Sequence, residues 1–289
     1  MLKKLKLGFP IRFKKAKLPS KKKLEDKFSI LEPMESNKHA TDLYKNFSKD
    51  KKNIIWTYLP YGPFKSYGSF KKWLESFCLN KDPFFYATYS KRHKQYCGMA
   101  SYLRITLEHG SIEVGHINYS LLLQNTTEGT ETMYLMMKHA FETLGNRRYE
   151  WKCNNLNTSS KNAAKRLGFK FEGVFRQMFV IKGRNRDSAW FSIIDTEWKK
   201  IKQGYLKFLS PKNFDKNMPL PRSHSVIDHQ ENGLRNFLTV CGGSLTTHRS
   251  MAEDVVNKLG NKLGINTLCS TDKTPVSNPK NLNWIPSFH

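Results

Sequence analysis

No long uninterrupted hydrophobic run occurs in the 289 residues. A membrane-spanning helix needs about 20 consecutive, mainly apolar residues, so the sequence predicts no membrane span. The basic start of the chain also lacks the apolar centre of a secretory signal, so we expect none there. These absences predict a cytoplasmic protein.

Paired cysteines are missing as well. The five cysteines are widely spread, and no two of them form a CxxC pair. An odd number without close spacing argues against a disulfide framework and against a zinc site. We expect free thiols in a reducing compartment and no metal. The five are Cys78, Cys97, Cys153, Cys241 and Cys269.

Acidic residues are scarce, since 24 Asp and Glu accompany 49 Lys and Arg and give a net charge of +25. Such a charge indicates either nucleic acid or anionic membrane as a partner, or a surface of solvated lysines. Lysines occur along the whole chain, which favours the solvated surface. Residues 1–26 are the most basic and are predicted to form a flexible arm, with weak RNA or ribosome contact as the alternative role.

The sequence does contain enough apolar residues, 38% with 13% aromatic, for a real core. Spacing and turn residues predict the order strand, helix, helix, three strands, helix, strand, helix, two strands, helix. This order indicates an α/β domain with a mixed sheet. The segments are residues 27–33, 39–47, 69–79, 83–90, 95–105, 112–123, 130–144, 149–153, 161–167, 169–182, 188–195 and 197–209.

The central stretch of this order, residues 111–145, combines a strand, a polar turn and a helix. The turn runs from Gln124 to Gly129, and the helix is predicted from about Thr130 to Leu144 with one apolar face. The start of a helix leaves several backbone N–H groups unpaired, and these groups suit a phosphate. We interpret this turn as the holder of a coenzyme pyrophosphate.

Two short motifs carry a family resemblance. Gln124, Thr127 and Gly129 fit the pattern of Gln or Arg, two residues, Gly, one residue, then Gly or Ala. Asn157 and Ser160 fit a later pattern, Asn-x-x-Ser, which is followed by a helix and Leu-Gly-Phe. With both motifs in this order, residues 27–200 resemble the GCN5-related N-acetyltransferase superfamily, and most of all its branch of ribosomal-protein-alanine N-acetyltransferases.

The resemblance implies a mixed, mostly antiparallel central sheet flanked by helices over residues 27–209. It implies acetyl-CoA as cosubstrate, with the pantetheine beside the strand 112–120. That strand is expected to splay from residues 149–153 and leave a slot for the thioester. The implied coenzyme contacts are Ile117, Asn118, Gln124, Thr126, Thr127, Gly129, Thr130 and Asn157.

Thr127 departs from the family pattern, which has Gly at this position. Glycine permits a positive φ and a close approach of the backbone to phosphate, whereas threonine is poor at both. Two outcomes stay open: the turn is reshaped and the hydroxyls of Thr126, Thr127 and Thr130 act as donors, or the pyrophosphate is held less tightly.

Direct attack of an amine on a thioester needs a base, an oxyanion donor and an acid. We favour Glu113 as the base, with His116 as second choice, and backbone N–H groups of residues 115–117 for the oxyanion. Many members of the superfamily use a tyrosine as acid, but residues 161–167 contain none, so Ser160 is the candidate. The competing roles are a surface charge for Glu113, a packed side chain for His116 and a helix cap for Ser160.

Beyond residue 209 the character of the sequence changes. Residues 210–223 are predicted to be a proline-containing linker. Residues 236–249 resemble the end of the FAD domain of FAD-dependent glycerol-3-phosphate dehydrogenases, but the chain has no GxGxxG dinucleotide fold. A remnant of this size cannot enclose a flavin. We therefore predict that residues 224–289 are non-catalytic and loosely ordered around a helix at 255–263, and that FAD is an unlikely cofactor.

The leading functional hypothesis is acetyl transfer from acetyl-CoA to an amine, either a protein N-terminus or a small molecule. An aromatic loop at residues 56–64 could line the acceptor pocket or simply cover the core. The alternative hypothesis is a CoA-binding module of the same fold that is catalytically weak or regulatory. Thr127 and the missing tyrosine support this alternative.

Overall fold

The computed structural model describes residues 7–210, 224–228, 238–242 and 248–264. The chain divides into two compact units, Met1–Ser210 and Pro211–His289. The first unit contains an eight-stranded sheet. Its strands are β1 (Leu24–Glu25), β2 (Ser29–Pro33), β3 (Phe84–Ser90), β4 (Gln95–Thr106), β5 (Ser111–Tyr119), β6 (Arg148–Asn154), β7 (Lys170–Ile181) and β8 (Arg184–Ile194).

The sheet has the strand order β1-β2-β3-β4-β5-β6-β8-β7. All neighbouring strands are antiparallel except β5 and β6, which run parallel. The predicted mixed, mostly antiparallel sheet is therefore confirmed. The helices of this unit are α1 (Ser36–Phe47), α2 (Tyr67–Phe77), α3 (Thr127–Lys138), α4 (Thr158–Arg166) and α5 (Asp195–Phe208), with short turns at Ile54–Trp56 and His139–Thr143.

Each face of the sheet carries its own core. On one face, α3, α4 and α5 pack against alternating residues of β5, β6 and β8, such as Val114, Tyr149 and Phe191. On the other face, α1 and α2 pack against Phe85 and Met99 of β3 and β4. The part of this second face formed by β5, β6 and β8 carries polar and charged side chains. The two faces of the central strands therefore differ in chemistry.

The first two helices begin earlier than the sequence predicts. Ser66 caps α2 by accepting a hydrogen bond from the amide of Ser69, so the helix starts at Tyr67 rather than at residue 69. The expected caps of α1, Ser36 and Asn37, lie inside the helix, where the Ser36 hydroxyl donates to Glu75 at 2.7 Å. Ser36 thus joins α1 to α2.

Helix α3 is shorter and more deeply buried than predicted. It starts at Thr127 instead of residue 130, and after Lys138 the chain continues in a π-helical turn. Every residue from 128 to 137 is buried, so this part of the helix has no face exposed to solvent. The sheet covers one side of it and the start of the chain covers another. The predicted amphipathic pattern was therefore wrong here.

Glu131 is the polar contact that makes this burial possible. Its carboxylate accepts hydrogen bonds from the amides of Lys27, Phe28 and Ser29, and from the Ser29 hydroxyl at 2.8 Å. These groups lie at the start of β2 and would otherwise be unpaired. Burial raises the pKa of Glu131, while the hydrogen bonds oppose this shift. The carboxylate fastens β2 to the middle of α3.

The folded domain begins inside the predicted basic arm. Ala16 is 5% exposed and donates its amide to the Leu107 carbonyl at 3.1 Å. Lys17 donates to the Leu144 carbonyl at 2.8 Å, and β1 pairs with β2. The domain boundary predicted at residue 27 therefore moves towards the N-terminus, because residues from about 16 onward contact the sheet and α3. Residues 1–6 of the arm lie outside the described part.

The second unit is described in three pieces. Strand β9 (His224–Asp228) pairs antiparallel with β10 (Leu238–Gly242), and α6 spans His248–Leu263. The helix predicted at 255–263 is present and begins seven residues earlier. The predicted linker beyond Ser210, and the turn that carries the dehydrogenase resemblance at residues 243–247, lie outside the described residues.

Three thiols lie in the described side chains, and all are free and buried: Cys78, Cys97 and Cys153. Burial raises the pKa of Cys97 to about 12 and also raises that of Cys153. No helix in the described ranges is long and apolar enough to cross a membrane. The same ranges contain no group of three or more potential metal ligands.

We expect Glu131→Ala to lower the free energy of unfolding by roughly 3 kcal/mol or more, because it leaves buried amides without an acceptor. Glu131→Gln keeps one carbonyl acceptor, so its free energy of unfolding should lie between those of Glu131→Ala and the native protein. Urea unfolding measures both. An alanine variant as stable as the native chain would show that water or the backbone satisfies these amides equally well.

Candidate active site

A β-bulge interrupts the centre of β5. Gly115 lies opposite Ser101 of β4, while Asn118 lies opposite Met99, so β5 has one more residue than its partner between these pairs. His116 lies within this segment and has a φ of +50°. A bulge bends a strand and redirects its side chains. Position 116 holds histidine and not glycine, so the sequence gives no sign of this positive φ.

Past the bulge, β5 leaves its parallel neighbour. The pairing of β5 with β6 covers only Ser111–Val114 and Arg148–Trp151. Strand β6 continues to Asn154 along β8, and β5 continues to Tyr119 along β4. The two strands therefore separate and leave a slot in the middle of the sheet, as the resemblance implies. Backbone groups of β5 along the slot have no pairing strand on that side among the described residues.

A buried amide without a partner lies beside this slot. The Asn118 side chain is 1% exposed, and neither its Nδ2 nor its Oδ1 has a hydrogen-bond partner in the described part of the chain. The hydroxyl of Ser120 is in the same situation. Buried polar groups are nearly always paired with protein or ordered water, so these atoms can take a polar ligand or a water as partner. The neighbouring Ile117 packs its side chain against the main core, which leaves its backbone for such a contact.

The turn after β5 resolves the question raised by Thr127. Its left-handed residue is Asn125, with a φ of +56°, and Asn tolerates this conformation. Thr127 is the first residue of α3. Thr127 adopts no positive φ, so threonine fits at this position without backbone strain. The amides of Thr127 and Glu128, at the start of α3, have no partner among the described residues and remain available for an anion.

Thr126 and Gly129 fix the shape of the turn. Thr126 caps α3, since its Oγ1 accepts from the Gly129 amide at 3.0 Å and donates to the Leu123 carbonyl at 2.7 Å. A Cβ on Gly129 would lie 2.6 Å from that carbonyl oxygen, so only glycine fits. The Thr130 hydroxyl donates to the Thr126 carbonyl at 3.2 Å. Two of the three hydroxyls expected as phosphate donors therefore make bonds within the turn.

Gln124 and Arg166 flank the turn. Gln124 is exposed and donates from Nε2 to the Tyr119 carbonyl at 2.8 Å. Arg166, in the last turn of α4, reaches Thr130 Oγ1 with its NH1 at 3.3 Å. The sequence did not single out Arg166, because only tertiary packing brings α4 next to the start of α3. It places a positive charge beside the free amides.

Glu113, the predicted base, lies in an ion-pair network. Its Oε2 accepts from Arg104 NH1 at 2.7 Å and from Lys152 Nζ at 2.8 Å. Glu113 and Lys152 are almost fully buried, with side-chain exposures of 4% and 5%. Its Oε1 takes no part in either ion pair. The competing surface role is therefore wrong, and any catalytic role falls to Oε1.

The network continues across the sheet. Glu113 registers directly opposite Glu150 in the parallel pair, and Lys152 lies between them with Nζ 2.8 Å from a carboxylate oxygen of each. Arg148 then joins Glu150 to Glu172 of β7. Like charges opposite each other destabilise a sheet unless a counter-charge intervenes. Lys152 supplies this counter-charge at the point where the strands begin to separate.

His116 is packed among aromatic rings below the aromatic loop. Its Nδ1 lies 3.1 Å from the Tyr61 hydroxyl, and the two rings stack at 5.6 Å. Phe77 and Phe85 contact the other sides of the imidazole. Burial, and secondarily the charges of nearby arginines, lowers the pKa of His116 from 6.5 to about 4. The imidazole is therefore neutral near neutral pH and is a weak base.

The later motif forms the other wall of the slot. Asn157 caps α4 by accepting the Ser160 amide on Oδ1 at 3.0 Å, so the cap is Asn157 and not Ser160. The Ser160 hydroxyl accepts from the indole Nε1 of Trp151 at 3.0 Å, which leaves its own proton available. Trp151 is the last residue of β6 that pairs with β5. Ser160 is thus held at the point where the slot opens.

The aromatic loop at residues 56–64 covers the core and also reaches the bulge in β5. Trp56 is buried in the second core, whereas Tyr61 reaches His116. The Tyr58 hydroxyl donates to the Leu156 carbonyl at 3.2 Å, and Lys182 Nζ donates to the Trp56 carbonyl at 2.9 Å. These two contacts connect the loop with the far side of the slot.

The fold and this slot define the class of the protein as an acetyltransferase. The family described as "Acetyltransferase (GNAT) domain" matches residues 29–170. A GCN5-related N-acetyltransferase from Brucella melitensis is 39% identical, with 70% of this chain and 91% of that chain covered and a TM-score of 0.68. A GNAT-family structure from Chromobacterium violaceum ATCC 12472 is 36% identical, with 68% and 98% covered and a TM-score of 0.63. The chain belongs to the GCN5-related N-acetyltransferase (GNAT) family.

Two further similarities are narrower. The self-immunity acetyltransferase MccE of microcin C7, solved with acetyl-CoA and AMP, shares the fold at 19% identity over 58% of this chain and 93% of that chain, with a TM-score of 0.52. A 44-residue stretch is 39% identical to a glycerol-3-phosphate dehydrogenase of Synechocystis sp. (strain ATCC 27184 / PCC 6803 / Kazusa). That match covers 15% of this chain and spans only 8% of the dehydrogenase.

Glu113→Gln should lower the free energy of unfolding by roughly 2–4 kcal/mol, because it removes one of the two carboxylates that neutralise the buried Lys152. Glu25 is a matched control, since it also contacts two lysines but on the surface. Glu25→Gln should change stability much less. Equal losses in urea unfolding of the two variants would contradict the structural role of Glu113.

The neutral His116 also makes stability depend on pH. Because its folded pKa of about 4 lies below the ordinary 6.5, the group's contribution is complete above pH 6.5 and is lost as the pH falls towards 4. The loss amounts to about 3 kcal/mol. His116→Gln should flatten the stability curve over this window, measured by urea unfolding at several pH values. A difference between the two proteins that does not change with pH would argue for a solvated, ordinary imidazole.

Proposed function

We propose that the protein transfers an acetyl group from acetyl-CoA to an amine by direct attack on the thioester. The observation that carries this proposal is the slot between β5 and β6, lined by the unpaired side-chain amide of Asn118. Pantetheine is a chain of amides of the width of a strand. It supplies the hydrogen-bond partners that β5 lacks on this side.

The grip on the coenzyme divides between two ends of the slot. The free amides at the start of α3, together with Arg166, suit the pyrophosphate. The side chains of Gln124, Thr126 and Thr130 act on the shape of the turn rather than as direct phosphate donors. Asn118 suits a pantetheine amide, and Asn157, whose Oδ1 is committed to its cap, contributes only through its Nδ2.

The chemistry follows from three groups around the slot. The acceptor nitrogen attacks the thioester carbonyl carbon, and the backbone N–H groups at the bulge stabilise the oxygen as it gains charge. The proton of the ammonium passes through water to Glu113 Oε1, the oxygen of this carboxylate that takes no part in its ion pairs. As the C–S bond breaks, the Ser160 hydroxyl gives its proton to the thiolate sulfur. The nitrogen loses its second proton to solvent as the amide forms, and Ser160 regains a proton from solvent. The Trp151 indole, which donates to the same oxygen, supports this loss.

The acceptor is either a protein N-terminus, as the ribosomal-protein-alanine branch implies, or a small amine. A second candidate function, a CoA-binding module with weak turnover, is favoured by one observation: Glu113 is already bound by two cations. The dehydrogenase-like stretch is proposed to take no part in either function, so the purified protein should carry no flavin.

A thiol-release assay with acetyl-CoA and a panel of amines and peptide N-termini tests the proposal. Ser160→Ala should lower kcat about 100-fold through loss of the acid, while the Kd for acetyl-CoA stays unchanged. Arg166→Met should raise that Kd about tenfold through loss of a charged contact. Arg176→Met, on the exposed β7, is the control for removing a surface arginine.

Three outcomes separate the hypotheses. Thiol release that depends on the amine and on Ser160 supports the transferase. Tight binding of acetyl-CoA without release on any acceptor supports the binding module. Absence of acetyl-CoA binding by calorimetry rules out both, since each needs the coenzyme in the slot.

A further inference from the structure

Arg186 is a half-buried arginine with no acidic partner. It lies in β8 next to the turn that joins β7 and β8, two residues beyond the last pair of β8 with β6, Ser188 and Asn154. Its Nε donates to the Ser188 hydroxyl at 3.2 Å. Within the described ranges no carboxylate lies at ion-pair distance from its guanidinium. Four of its five N–H donors are therefore left for another group.

The other charges of this face do not neutralise Arg186. The network from Arg104 to Glu172 alternates in sign, and each of its carboxylates is already bound by a cation. Asp187, the neighbour in sequence, points to the opposite side of the strand, where it accepts from Gln177 and Asn185. Arg186 thus has no ion-pair partner in the described part, and the carboxylate whose charge acts on it, Glu113, is already bound by Arg104 and Lys152.

Phe179 holds this charge in place. The Arg186 guanidinium lies 5.5 Å from the centre of the Phe179 ring, and the Arg104 guanidinium lies 5.7 Å from it. Both arginines therefore contact one ring, and Arg104 connects this pair to Glu113. Arg104 is paired with Glu113, so the free N–H donors of Arg186 are the ones left beside this ring for an anion.

Arg186 faces the acceptor side of the slot. In β8, residues at even positions lie on the face of the charged network, since Trp190 covers Lys152 and Ser192 binds Glu172. Helix α3, which offers the pyrophosphate site, packs on the opposite face. Burial lowers the pKa of Arg186, and its charge acts in turn on His116 in the bulge. The guanidinium therefore lies near the reacting centre but away from the coenzyme phosphates.

We propose that Arg186 binds an anionic group, a carboxylate or a phosphate, on the amine that accepts the acetyl group. The proposal rests on the proposed acetyl transfer and narrows its acceptor to amines that carry an acid close to the nitrogen. A guanidinium fork matches both anions through two parallel hydrogen bonds. Neutral amines of the same size leave Arg186 without a partner and bind more weakly.

Matched acceptor pairs test this proposal. The pairs are β-alanine and its amide, O-phosphoethanolamine and ethanolamine, and peptides that begin with Asp or Glu against Asn or Gln. In the native protein, kcat/KM should favour the anionic member of at least one pair through KM. Arg186→Met should reduce that preference about 10- to 100-fold, with the neutral member and the Kd for acetyl-CoA unchanged. Arg186→Lys should keep part of the preference.

Arg184→Met is the matched control, because Arg184 lies in the same strand two residues away and is exposed. It should leave the preference intact. An equal loss in Arg184→Met and Arg186→Met would reduce the effect to surface charge and overturn the proposal. So would a native protein that accepts amines without regard to charge, or one whose preference survives in Arg186→Met.

A second measurement separates this proposal from the proposed function. Ligand NMR with CoA present compares the binding of each anionic acetylated product with that of its neutral counterpart, and it needs no turnover. The anionic products are N-acetyl-β-alanine, N-acetyl-phosphoethanolamine and N-acetyl-aspartyl peptide. If the anionic ligands bind in a manner that depends on Arg186 but no acetyl transfer occurs, the anion site is supported and the proposed transferase function is contradicted. Acetyl transfer without such binding does the reverse, and absence of both overturns the two together.

Discussion

The candidate site depends on a single constraint, the extra residue that β5 carries between Gly115 and Asn118. A strand with one residue more than its partner cannot stay in register on both sides. Here β5 keeps its pairing with β4 and gives up its pairing with β6 after Val114. The slot, the exposed backbone of β5 and the inward turn of His116 all follow from this. The freed backbone groups of β5 and the unpaired side-chain amide of Asn118 can both bond to a ligand or to water in the slot.

The two faces of the sheet divide the work. One face is apolar and holds α3, whose first turn offers amides to an anion, while Glu131 compensates the buried start of β2 beneath it. The other face carries the alternating charges that surround Glu113. A coenzyme and an acceptor that approach from different faces meet in the slot without competing for the same groups. The direct opposition of Glu113 and Glu150 also shows that the charges were placed by the sheet register and not by chance pairing on a surface.

Much of the fold could be predicted from the sequence, because apolar periodicity and turn residues define strands and helices locally. The order of elements within residues 27–209 is present, as is a turn between β5 and α3, although β5 ends at Tyr119 instead of residue 123 and α3 already begins at Thr127. The errors have physical causes. The burial of α3 on all sides depends on Glu131 contacting residues about a hundred positions away, and the role of Arg166 depends on the packing of α4 against α3. The family pattern has glycine at Thr127, but the left-handed residue of this turn is Asn125, which the pattern does not indicate. The ion pairs of Glu113 needed the strand register, which local patterns do not give.

Lys152 has a mechanical consequence. Its ammonium bridges carboxylates on both parallel strands directly below the place where they part. Below this bridge the strands are bonded to each other, and above it each is bonded only to its outer neighbour. The bridge thus fastens the closed end of the slot, and only the ends of the two strands beyond it are free of each other.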